Sequence, residues 1–93
     1  IPQNGVYATI TEFKDRKFPS MTNIGYNPTF KNKYISIETN ILDFSEDLYG
    51  ETIKVNFIKK LRNEVLFSDV HSLVAQLVKD RNDTYQITKK YLK

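Results

Sequence analysis

The sequence contains no cysteine, no tryptophan and only one histidine, His71. Without thiols there is no disulfide, no thiolate nucleophile and no cysteine-type zinc site. A single imidazole excludes a His-pair metal centre and weakens any Ser–His–Asp arrangement. The absence of disulfide chemistry fits a reducing, cytoplasmic compartment. No apolar run approaches the roughly 20 residues a membrane helix needs, and no basic segment followed by an apolar one opens the chain. Neither a phosphate-cradling GxxxxGK(S/T) loop nor a dinucleotide GxGxxG fingerprint occurs. The net charge of +3 comes partly from Lys89, Lys90 and Lys93, where cations suit a helix end. No basic stripe with interleaved aromatics accompanies them, so neither a nucleic acid nor a membrane is expected as a partner.

What is present suits one small domain. The 93 residues are 40% hydrophobic and 27% charged, an ordinary globular balance for a single core. Six tyrosines and six phenylalanines favour strands over a helical bundle. A start at Ile1 rather than Met leads us to expect a piece of something longer.

Alternation of period two marks four strands. The first covers about residues 5–13, and the charged stretch Lys14–Lys17 follows it at hairpin-loop length. The second is expected at Phe18–Ile24, ending in an ordered loop, Gly25–Phe30, where Gly25 and Pro28 break the pattern. The third, Tyr34–Phe44, puts Ile35, Ile37 and Ile41 on one side and Tyr34, Ser36, Glu38 and Asn40 on the other. The fourth spans Thr52–Leu61. Short connections and one apolar face per strand suggest an antiparallel sheet curled into a barrel. From Ser68 the period changes. Ser68 or Asp69 is a candidate helix cap, and Val70, Leu73, Val74, Leu77 and Val78 form an amphipathic stripe.

Three places could carry chemistry. Glu38 lies mid-strand in the most apolar part of the chain, so its carboxylate either faces solvent or has partners. Asn27 and Thr29, beside Pro28, offer an amide and a hydroxyl in a stiff loop, as ligand sites and structural turns both do. In Leu61–Phe67, Arg62 could bridge a phosphate or pair with Glu64. Phe67 could stack on a flat ring or staple the helix start into the core.

In order and at their spacing, these segments resemble the riboflavin kinase (flavokinase) family. The matching blocks are Asn4–Ala8, Thr22–Phe30, Ile37–Phe44, Asp47–Gly50 and Leu61–Phe67, followed by Ser72-Leu73 in the helix. The resemblance implies a mainly β fold, a six-stranded Greek-key barrel with a C-terminal α-helix, here lacking about its first strand. It implies ATP-dependent phosphorylation of riboflavin to FMN, with Glu38 as the general base for the ribityl 5′-hydroxyl. Arg62, Glu64 and Phe67 become flavin contacts in a flap over the ring, and Asn27, Pro28 and Thr29 a supporting loop. ATP and Mg²⁺ are the implied cofactors, and an FAD synthetase (adenylyltransferase) domain is the implied N-terminal neighbour in bacteria.

The sequence departs from the family in one major respect. The Pro-Thr-Ala-Asn motif, whose Thr and Asn hold Mg²⁺ and the ATP phosphates in the family, has no match in residues 1–93. No metal ligand is therefore expected in this chain, and residues 1–93 read as a kinase domain incomplete at its N-terminus, inactive alone. Asn40 also stands where the family usually has His. Two other readings stay open: a non-catalytic flavin- or nucleotide-binding barrel, and an interaction barrel that binds no flavin.

Overall fold

The structure, a computed structural model, describes residues 2–28 and 33–93. Four strands precede one helix: β1 (Gly5–Phe13), β2 (Arg16–Pro28), β3 (Lys33–Ile41), β4 (Lys54–Arg62) and α1 (Val70–Thr88), with a short 3-10 turn at Lys89–Tyr91. All pairings are antiparallel, in the order β3-β2-β1-β4. Three consecutive strands with a fourth returning beside the first make a Greek key. The mainly β architecture with a C-terminal helix is the one expected.

Several boundaries differ from the sequence reading. The charged connector shortens to a two-residue turn, Lys14-Asp15, with both φ values positive at 50° and 62°, so β2 starts at Arg16. Such a turn matches the twist of the strands it joins. The expected loop at Gly25–Phe30 is instead strand as far as Pro28, with Gly25 paired to Ser36 and Pro28 to Lys33. Proline is tolerated there because it ends the strand. Asn27 and Pro28 are therefore the last residues of β2, whereas Thr29 and Phe30 lie outside the described residues. Strand β3 stops at Ile41, three residues early, because Leu42-Asp43 turns and Asp43 takes φ 54°.

Strand β1 is buried on both faces. Val6, Ala8 and Ile10 point to one side, towards α1, which packs on β1, β2 and β4. On the other side Thr9, Thr11, Ser20 and Thr22 are fully buried and bond to one another. Thr9 Oγ1 lies 2.7 Å from Ser20 Oγ and 3.0 Å from Thr22 Oγ1, and Thr22 Oγ1 lies 2.9 Å from Thr39 Oγ1. Buried hydroxyls are costly alone, so this ladder satisfies them across three strands. Phe44 covers one end of that face, edge-on to Phe13 and Phe18.

Asp69 caps α1, its Oδ1 accepting from the Ser72 amide at 2.8 Å. That backbone bond, with the Ser72 hydroxyl, holds the Asp69 carboxyl below its ordinary range. The helix buries a different part of its stripe from the one its pattern suggests. Val70, Leu73, Val74, Leu77 and Val78 are all substantially exposed, while Asp80, Thr84 and Thr88 are buried. At about 100° per residue these positions share one broad face. Its C-terminal half meets the sheet, and its N-terminal half is left facing an open trough.

Candidate active site

The antiparallel registers set up the site. Glu38 pairs with Asn23, Asn23 with Val6, and Val6 with Arg62. Cross-strand partners share a face, so these four side chains form one row across the sheet, on the side that α1 covers. Glu38 stands at the β3 end and Arg62 at the β4 end. Three inter-strand spacings put their backbones roughly 14 Å apart.

A cavity of about 310 Å³ runs along this row, lined by Val6, Met21, Asn23, Glu38, Thr39, Asn40, Arg62, Leu77 and Asp80. Two smaller hollows share its walls. One, of about 200 Å³, joins Arg62 to Glu64, Val65, Phe67 and Leu73. The other, of about 280 Å³, lies between Met21, Asn40 and Leu42 and the helix residues Val74, Leu77, Val78 and Arg81. Leu77 belongs to all three. The exposed half of the helix stripe is thus the apolar wall of a trough whose opposite end carries a carboxylate.

Glu38 sits on the polar face of β3, as alternation predicts. It is exposed, so the solvent-facing alternative is correct about its surroundings, yet a cavity lies beside it. The β3–β2 register aims it, because a slip of one residue would turn it to the opposite face.

Arg62 ends β4 rather than lying in a loop, and its partner is Asp80, not Glu64. Its Nε donates to both Asp80 oxygens at 3.1 and 3.0 Å, and Nη2 donates to Oδ2 at 2.8 Å. Its guanidinium lies 5.8 Å from the centre of the Phe67 ring. Glycines seat this corner. A Cβ on Gly5, whose φ is +152°, would meet the Arg62 carbonyl at 2.8 Å, and one on Gly25 would lie 3.0 Å from Glu64 Oε2. Arg62, Glu64 and Phe67 therefore come together over β1 and β2, while Glu38 faces them along the row. Asn27 and Pro28 leave along β2, beyond the residues that line these hollows.

Asp80 and Gln76 were not singled out from the sequence. The available signal was a carboxylate at the position after Leu77 where the apolar stripe should continue. No group of three or more His, Cys, Asp or Glu among the described residues could hold a metal ion, and the Pro-Thr-Ala-Asn motif whose Thr and Asn the resemblance gives as Mg²⁺ ligands has no match in residues 1–93. No described helix is long and apolar enough to cross a membrane.

A trough with a carboxylate at one end and Arg62 beside Phe67 at the other is a candidate small-molecule site on a Greek-key sheet. Comparison with known proteins gives its family. The family model "Flavokinase: Riboflavin kinase" matches residues 1–88, and the chain belongs to the riboflavin kinase family. It is 37% identical over 86 residues to the bifunctional riboflavin kinase/FMN adenylyltransferase of Bacillus subtilis, covering 89% of this chain and 27% of that protein. The enzyme of that name from Listeria monocytogenes is 42% identical over 85 residues, with coverages of 90% and 27%. That from Escherichia coli K12 is 38% identical over 80 residues, with coverages of 85% and 26%. The chain thus spans about a quarter of the length of these relatives. A solved structure described as a macrolide-efflux protein from Streptococcus pneumoniae superposes with a TM-score of 0.85 at 37% identity, over 90% of this chain and 28% of that one. Its likeness is one of fold and sequence, and the transport in its name is said of that protein.

Proposed function

We propose that this chain carries the flavin-binding and base-bearing part of an enzyme that phosphorylates riboflavin to FMN with ATP. The observation that carries the reading is the row Glu38–Asn23–Val6–Arg62 beneath one trough. Riboflavin is a flat apolar ring system with a five-carbon polyol tail ending in the reactive hydroxyl. The apolar wall of Leu73, Leu77 and Val65 with Phe67 suits the ring, and Arg62 and Glu64 supply polar contacts at its edge. The tail then lies along Asn23 towards Glu38.

In the reaction, the Glu38 carboxylate accepts the proton of the ribityl 5′-hydroxyl as that oxygen attacks the γ-phosphorus of ATP. A new O–P bond forms, the bond to the β-phosphate oxygen breaks, and ADP leaves with the electron pair. Phosphoryl transfer needs alignment and charge neutralisation more than covalent help, so one oriented carboxylate is a sufficient base. No step here is assigned to the magnesium ion. Asn27, Pro28 and Thr29 keep a supporting role at the rim.

Because the relatives are bifunctional and more than three times as long, we further propose that the chain works within a cytoplasmic protein that also carries an FMN adenylyltransferase domain. The 93 residues contain no Pro-Thr-Ala-Asn match, so this span alone is expected to bind flavin without forming FMN. The test is FMN formation from riboflavin, ATP and Mg²⁺ by the intact protein. Absence of turnover there, with riboflavin binding retained, would leave a non-catalytic flavin module, and absence of both would remove the reading.

A further inference from the structure

Asp80 is 2% exposed, on a helix face where the surrounding pattern is apolar. Burying a carboxylate there is unfavourable unless its oxygens are fully occupied. They are: Arg62 Nε and Nη2 supply three contacts of 2.8–3.1 Å, and Gln76 Nε2 donates to Oδ1 at 2.9 Å. The Arg62 side chain is itself only 18% exposed. Such a pair contributes little net stability compared with apolar residues of similar volume. It does fix the geometry of a planar fork in a way that a single contact does not.

What that fork touches gives the pair its significance. Arg62 Nη1 donates to the Asn63 carbonyl at 3.1 Å, at the root of the flap, and its guanidinium faces the Phe67 ring near the flap's end. Asp80 and Arg62 both line the cavity that holds Glu38. The helix therefore grips the flap through one carboxylate, and both flap contacts radiate from the guanidinium it holds.

We propose that Asp80, steadied by Gln76, is a positioning residue that acts through Arg62 to hold the 63–67 flap over the flavin. The inference rests on the flavin reading of the trough. Asp80 touches neither substrate nor reacting atoms, so its loss raises the KM and Kd for riboflavin while the KM for ATP is unchanged.

A double-mutant cycle in the intact protein tests this, with riboflavin fluorescence quenching as the readout. Asp80→Asn is expected to weaken riboflavin binding about tenfold, and Asp80→Glu to recover part of that loss. In an Arg62→Ala background, Asp80→Asn is expected to add less than about twofold, since a coupled pair is non-additive. Circular dichroism melting checks that each variant is folded. If Asp80→Asn does not fold, Gln76→Leu, which removes one neutral donor, is carried through the same cycle. Equal losses in both backgrounds would overturn the proposal, as would unchanged binding in a folded Asp80→Asn or Gln76→Leu variant. If the parent protein binds no riboflavin, or Arg62→Ala leaves binding intact, the flavin reading fails instead.

Discussion

Replacing Leu77 by alanine isolates the apolar wall of the trough. Leu77 lines all three hollows and is 43% exposed. Fully burying a leucine side chain is worth roughly 1.5–3 kcal/mol, so covering the exposed fraction with a flavin ring contributes about 0.6–1.3 kcal/mol. That corresponds to a riboflavin Kd weakened about three- to ninefold. Tyr49 serves as the control, because it is 95% exposed, lies outside the 63–67 segment and lines none of these hollows. Tyr49→Ala should leave the Kd within about twofold, the scatter expected of such arithmetic. Titrating riboflavin fluorescence against parent, Leu77→Ala and Tyr49→Ala proteins gives the comparison directly. Equal affinities for parent and Leu77→Ala, or a larger loss for Tyr49→Ala, would show that the ring does not rest on this wall.

Glu38→Gln keeps shape and exposure but removes the base, so kcat should fall about 10²–10⁴-fold with riboflavin affinity and unfolding midpoint nearly unchanged; steady-state kinetics and a urea titration separate the two. Thr22→Val removes a buried hydroxyl placed between Thr9 and Thr39 and should cost about 1–3 kcal/mol, measured as a lowered urea midpoint with unchanged slope. Asp43 has its carboxyl held below the ordinary 3.8 by the Tyr85 hydroxyl first and then by Arg81, whose Nη2 lies 2.6 Å away. Because the folded value is depressed, this stabilisation is present above 3.8 and disappears as pH falls through the folded value. Denaturation curves across that range should lose part of their acid-side slope in Asp43→Asn, and an unaltered slope would show that the tether makes no difference to stability.

The direction of Glu38 could be read from β3 alone, because alternation is a local property of a strand with three isoleucines on one side. So could the helix, from the Asp69 cap and the 3.6-residue period. Which part of the helix stripe is buried could not, since period fixes the face but not where along its length the sheet ends. Leu73 and Asp80, seven residues apart, face nearly the same way, and only the docking of α1 decides that the carboxylate is covered and the leucine is not. The Gly25–Pro28 segment was misread for a related reason. Glycine, asparagine and proline are turn residues in isolation, yet pairing with Lys33–Ser36 draws them into the ladder. The sequence offers Arg62 a phosphate or the nearby Glu64 as partner, and Asp80 is not legible as one because it lies eighteen positions away, on another element.

The two faces of the sheet divide the work of placing the base. On the face away from the helix, Thr22 bonds to Thr39, and these two are direct cross-strand partners. Glu38 is the next residue along β3, on the opposite face, paired to Asn23. A one-residue slip between β2 and β3 would break the Thr22–Thr39 bond and would swing Glu38 out of the trough in the same movement. The hydroxyl ladder therefore favours the register that aims the carboxylate along the row towards Arg62 over a slipped one. This explains how an exposed side chain near the sheet edge, with no hydrogen-bonded neighbour of its own among the described contacts, can still be placed well enough to meet a substrate hydroxyl.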